Sequence, residues 1–174
     1  MYLNHGPSQN KLLAALPDAD FLRLFPVLEL AQVSFGELIC EAATRPEYVY
    51  FPTTAVVSLF CCSNGSELPE AAIVGNDGAV GISQLFIGEI KISRAVVQST
   101  GYAYRMKMQH IRAELNRSGE LLRLLLHYVE TFTAQMAKGG QLTEILAPVA
   151  TVASPNVPQA DTGKDSGWLG LPTS

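Results

Sequence analysis

The chain has 174 residues, 48% of them hydrophobic and 16% charged, which suits one domain with a substantial core and excludes disorder throughout. A net charge of −4 with dispersed Lys and Arg argues against the basic face on which nucleic-acid binders depend. No stretch approaches the ~18 apolar residues that cross a bilayer. The N-terminal MYLNHGPSQNK lacks the apolar run of a secretion signal, so a cytoplasmic protein without membrane association is expected.

Residues 1–26 read as a helical hairpin. The runs 10–16 and 18–25 carry apolar residues at helical spacing, split by Pro17 and stopped by Pro26, with Asp18 placed as an N-cap. Over 27–117 the texture turns to β. Strands are predicted at 28–35, 38–40, 48–51, 55–62, 70–74, 93–99 and 102–107, with a turn at Phe35-Gly36-Glu37. Ser63-Asn64-Gly65-Ser66 folds 70–74 back on 55–62, Asn-Gly being a strong hairpin signal. Short strands closely punctuated by Gly and Pro argue for a jelly roll or small barrel. Cys40, Cys61 and Cys62 read as reduced thiols. The last two adjoin in an extended run and point to opposite faces, poor geometry for a shared metal.

A short helix is predicted over 108–115 and a long one over 118–140, with Ser118 as N-cap and Glu120 in the first turn. Leu122, Leu125, Val129, Phe132 and Met136 repeat at helical steps, and Leu121, Leu124 and Tyr128 widen the stripe beyond one face. One face can cover the β domain, and the surplus predicts a second partner. Gly139-Gly140 ends the helix. From 141 to 174 the chain is rich in Pro, Gly, Ser, Thr and Asp without periodicity and reads as an irregular tail around the lone Trp168.

Five segments in this order between 10 and 98 carry a family resemblance that covers about 10–138. They are NKLLAALPDADF, Tyr48-Val49-Tyr50-Phe51-Pro52-Thr53, Val56-Val57-Ser58-Leu59, Val74-Gly75-Asn76-Asp77-Gly78 and Ser93-Arg94-Ala95-Val96-Val97-Gln98. The chain resembles regulators of the catabolite-activator/fumarate-nitrate-regulator (Crp/Fnr) family. The resemblance implies a mainly β fold with flanking helices: a cyclic-nucleotide-binding-like β-roll, or jelly roll, followed by a long C-terminal dimerisation helix. It implies a homodimer through that helix. It also makes the run from Ile73 to Met106 a phosphate-binding cassette, with any effector near Gly81, Ile82, Ser83, Ser93, Arg94 and Ala95.

Nucleotide-binding members of that family open the cassette with Phe-Gly-Glu, whose Glu holds the ribose hydroxyl. They close it with Arg-Ser/Thr-Ala, whose Arg neutralises the phosphate. Here Val80-Gly81-Ile82 puts isoleucine in the place of the acid, and Ser93-Arg94-Ala95 puts serine in the place of the arginine. Arg94 is one residue off, which in a strand turns a side chain to the opposite face. Losing two charge-assisted contacts at ~1.5–3 kcal/mol each would weaken a cyclic nucleotide by about a hundredfold or more. One alternative stays open: Arg94 turns inward and Glu89, in the Gly88-Glu89 loop, replaces the acid, giving a functional cAMP or cGMP site. Gly78 and Gly81 read as tight-turn residues, with a weak backbone anion nest as the other reading.

After Lys138 no helix-turn-helix pattern or basic face follows, so direct DNA binding by this chain is not expected. His5, His110 and His127 lack ligand-spaced neighbours, and no nucleophile-elbow sequence frames a serine. His127 reads as a packed or interface residue. No cysteine cluster precedes Cys40 to hold iron and sulfur, and no axial haem ligand can be placed. The sequence reads as a non-enzymatic sensor or dimerisation module without metal or cofactor.

Overall fold

A computed structural model describes residues 6–41, 46–63, 66–67, 72–82, 85, 92–117 and 119–138. His5, Asn64-Gly65, Ser83, Gly88-Glu89, Ser118, Gly139-Gly140 and the tail at 141–174 lie outside the described residues, as do the side chains of Cys61, Cys62, Ser93 and Met136.

After a 3-10 turn at Pro7–Gln9 come α1 (Lys11–Ala14) and α2 (Asp18–Leu24), and α2 tightens into a second 3-10 turn at Phe25–Val27. Asn10 caps α1: its Oδ1 accepts from the amides of Leu12 and Leu13 at 3.1 and 3.2 Å. Asp18 does not cap α2, contrary to expectation. Pro17 holds the cap position in extended backbone, and its carbonyl accepts from the amides of Asp20 and Phe21 at 2.9 Å. Asp18 becomes the first helical residue, where its charge suits the positive end of the dipole.

The strands are β1 (Glu29–Val33), β2 (Leu38–Glu41), β3 (Tyr48–Pro52), β4 (Val56–Ser63), β5 (Ser66–Glu67), β6 (Ala72–Val74), β7 (Ile92–Ser99) and β8 (Gly101–Lys107). They form two antiparallel sheets, one ordered β1-β8-β3 and the other β2-β7-β4-β5, with β6 also paired to β4. The predicted return of 70–74 is present as β6, with Val57 opposite Val74. The two-residue β5 is an addition that sequence patterning does not foresee. Consecutive strands β7 and β8 belong to different sheets, so the chain crosses between layers at Thr100-Gly101.

Helices α3 (Met108–Arg117) and α4 (Gly119–Lys138) close the fold. The apolar residues divide into two clusters. Within the roll, Val33, Ala55, Val57, Leu59, Val74, Val80, Ala95 and Val97 are buried together. The other cluster joins the helices to the three-stranded sheet through Leu12, Leu13, Val49, Met106, Leu121 and Leu125. Burial of each large side chain contributes ~1.5–3 kcal/mol, so α4 is held chiefly by Leu121 and Leu125. Arg23 reinforces the helical layer from α2, bonding Glu114 of α3 at 2.9 Å and pairing with Asp20. The alternating burial along β7 and the wide stripe of α4 are what fold the chain this way. Among the described residues no helix is long and apolar enough to cross a membrane.

Candidate functional site

The turn at 75–78 and the four residues after it form the start of the expected cassette. Gly78 N bonds Gly75 O at 3.2 Å, closing the turn. Two helical elements then hold it. From the N-terminal side, Lys11 N donates to Asn76 O at 2.7 Å, and Asn10 Nδ2 donates to Gly78 O and Pro52 O at 2.9 Å each. From the long helix, the Tyr128 hydroxyl accepts from Ala79 N at 3.2 Å and donates to Ala79 O at 3.3 Å. Asn10 is fully buried, so all four of its polar contacts are made without water.

Val80 follows and is bridged to β3, Tyr50 N donating to Val80 O at 3.0 Å and Val80 N to Tyr50 O at 2.8 Å. Gly81 has φ +96°, and a Cβ there would sit 3.0 Å from Tyr48 O, so both conformation and space favour glycine. Ile82 is 2% exposed and belongs to the same apolar cluster as Leu121 and Leu125 of α4.

At the far end of the cassette, Ala95 is buried inside the roll opposite Leu59 of β4 and Cys40 of β2. Arg94 lies on the other face of β7. Its guanidinium carbon stands 4.4 Å over the Phe60 ring, and the residue is exposed. The strand pleat therefore does what the one-residue offset predicts, and the inward-turned Arg94 is not the arrangement found. Ile82 and Ala95 fall in separate clusters, one under the long helix and one inside the roll. Burial pushes the Cys40 thiol up, partly opposed by a hydrogen bond with the Ala95 backbone, which disfavours a reactive thiolate.

On α4 the expected dimer positions divide. Leu125 is 1% exposed in this chain's own core, whereas Leu122, Val129 and Phe132 are half-buried. Leu126, which was not singled out, is 44% exposed. His127 is exposed rather than packed, on the rim of a groove of about 560 Å³ that runs between Ala15 and Pro17 on one side and Leu124 and Leu126 on the other. A smaller groove of about 230 Å³ is lined by Ile73, Asp77, Gly78, Tyr128, Thr131 and Phe132. Among the described residues no group of three or more His, Cys, Asp and Glu is placed to hold a metal.

Tyr128 and Asn10 are the residues sequence reasoning passed over. Burial pushes the Tyr128 hydroxyl up to about 12, opposed by its hydrogen bond with the Ala79 backbone and aided by the charge of Asp77. The fold thus favours the neutral phenol. Its contribution is complete below the ordinary value of 10 and is lost as pH rises from 10 to about 12. Urea unfolding across that window should show the wild type losing its advantage over Tyr128→Phe, and a constant difference would contradict this.

By sequence the chain matches no family model and no curated protein. By structure it is similar to the regulatory subunit of a cAMP-independent protein kinase A from Trypanosoma brucei, with TM-score 0.60, 16% identity and coverage of 70% of this chain and 43% of that one. It is similar to a protein named as cyclic-nucleotide-binding from Geobacter metallireducens GS-15, with TM-score 0.60, 16% identity and coverage of 76% and 98%. It is also similar to the sensor domain of the transcriptional regulator DNR from Pseudomonas aeruginosa, with TM-score 0.54, 13% identity and coverage of 70% and 91%. The chain spans less than half of the kinase subunit but nearly the whole of the other two. Its fold is that of a cyclic-nucleotide-binding β-roll with flanking helices, shared with Crp/Fnr-type regulators among others.

Proposed function

We propose that this chain is a non-enzymatic sensor and dimerisation domain of the Crp/Fnr type whose nucleotide pocket is degenerate. The observation that carries this reading is Ile82. It stands where the resemblance calls for a ribose-binding acid, and it is 2% exposed among leucines of the helical layer. A sugar hydroxyl brought there would exchange water for hydrocarbon and lose its hydrogen bond. Arg94 supports the same reading, because it stacks on Phe60 outside the roll while Ala95 points in. The fold occurs in a protein not named for cAMP control, since the kinase to which the Trypanosoma brucei subunit belongs is by name cAMP-independent. The domain acts in the cytoplasm and biases a partner or effector response through α4, with no direct DNA contact from its own residues.

Calorimetric titration with cAMP and cGMP should give no saturable heat at millimolar ligand. Micromolar binding that disappears in Arg94→Ala would establish the alternative, a functional cyclic-nucleotide receptor. The retained turn geometry at Gly81 is the feature that favours that alternative.

The dimer half of the proposal rests on the stripe Leu122, Leu126 and Val129, which repeats at helical spacing beside the core-facing Leu121, Leu125 and Tyr128. Val129 and Phe132 also pack partly against this chain's own clusters, so a charge there would unfold as well as separate. Leu122→Glu with Leu126→Glu is the cleaner variant. Sedimentation should show a dimer for the wild type and a folded monomer for the variant. A monomeric wild type would remove this half of the proposal.

A further inference from the structure

We propose that residues 75–79 are a coupling node through which the N-terminal helical pair and the long helix α4 sense each other. The two elements grip the two ends of one peptide group, Gly78–Ala79, and its neighbours in the turn. Asn10 Nδ2 holds Gly78 O at 2.9 Å and Lys11 N holds Asn76 O at 2.7 Å. One residue on, both the N–H and the C=O of Ala79 are taken by the Tyr128 hydroxyl, at 3.2 and 3.3 Å. Gly78 lies between the two grips with no room for a side chain: a Cβ there would come within 2.6 Å of the Tyr128 oxygen and 2.8 Å of Val74 Cγ1.

Ala79 is 4% exposed, so withdrawing Tyr128 strips a buried N–H in the Gly78–Ala79 peptide and a buried C=O in the Ala79–Val80 peptide of their bonds. For that N–H to find a new partner the Gly78–Ala79 peptide must rotate, and the rotation carries the carbonyl of the same peptide, Gly78 O, away from Asn10. The same link runs in reverse. If Asn10 releases Gly78, the turn loses the anchor that presents Ala79 to Tyr128. By linkage the two effects are equal in free energy.

The node leads directly into Val80, where the two-bond bridge to Tyr50 leaves little freedom to absorb a shift. The same two helical elements also line the 560 Å³ groove between Ala15, Pro17 and Leu124. This coupling needs no nucleotide in the roll and stands or falls separately from the degenerate pocket.

A double-mutant cycle on the full chain tests it. Asn10→Ser keeps the cap acceptor but lacks the reach to Gly78 and Pro52, and Tyr128→Phe keeps the ring but loses both bonds to Ala79. The combined loss in the unfolding constant should fall short of the product of the single losses by about threefold or more. Amide exchange at Leu12 and Leu13, whose N–H groups bond Asn10, should quicken about tenfold in Tyr128→Phe relative to amides of β1 and β8. Additive losses, or unchanged exchange at Leu12 and Leu13, would overturn the proposal. Should Tyr128→Phe fail to fold, exchange at the Ala79 amide in Asn10→Ser decides on the same terms.

Discussion

Gly101→Ala is expected to lose ~3 kcal/mol or more of stability, about 10 °C in melting temperature. Gly101 starts β8 at the point where the chain crosses from one sheet to the other. A Cβ at this position would stand 2.5 Å from Ala55 N, 2.7 Å from Thr54 C and 2.8 Å from Ala55 Cα. All three are backbone atoms of a corner that is itself pinned. Thr53, Thr54 and Ala55 all donate their amides to Tyr102 O, at 2.9, 3.2 and 3.2 Å, while Tyr102 N returns a bond to Thr54 Oγ1 at 2.9 Å. The corner cannot open without breaking the bonds that make it. Gly36→Ala is the control: it meets nothing within 4 Å but has φ +80°, so it should lose only ~1 kcal/mol. Equal losses for the two variants, measured by urea unfolding, would show that crowding at the corner does not govern stability there.

Asn10→Ala should lose ~2–4 kcal/mol, because it removes a helix cap and leaves two buried carbonyls unpaired. Asn10 meets two donors and two acceptors: Leu12 N and Leu13 N on one side, Pro52 O and Gly78 O on the other. This pattern fixes which way the amide points. It also makes Asn10→Asp informative. An aspartate keeps the cap but sets a carboxylate oxygen against two carbonyl oxygens, so at neutral pH it should be at least as damaging as alanine. Some stability should return in acid, when protonation restores one donor. An aspartate variant as stable as the wild type would mean that the cap alone matters and that the bonds to Pro52 and Gly78 contribute little.

The β-roll was legible in the sequence because period-two burial and Gly/Pro punctuation are local signals. Ala95 and Val97 face in and Arg94 and Gln98 face out, as the spacing in β7 implies. The outward direction of Arg94 was legible for the same reason. The two-residue β5 has no period to read. At α2 the adjacent Pro17 and Asp18 both fit a helix start, and only the backbone bonds to Pro17 O decide between them.

The tertiary roles of Asn10 and Tyr128 escaped notice because Pro52 O, Gly78 O and Ala79 lie 42 to 68 positions away along the chain and are backbone groups that carry no sequence signal, whereas the cap of Leu12 and Leu13 by Asn10 is local. Tyr128 reads as one more ring in an apolar stripe until Ala79 is seen beneath it. Likewise the stripe of α4 shows that two faces are apolar but not which one meets the roll. The fold assigns Leu121 and Leu125 to the core and leaves Leu126 at the surface.

Where the resemblance calls for an acid, Ile82 is hydrocarbon closed under the long helix. Methyl-resolved NMR of Ile82 during a cAMP titration addresses that atom group directly. The Ile82 methyl signals should stay in place up to millimolar nucleotide. Movement that saturates at micromolar cAMP would contradict it.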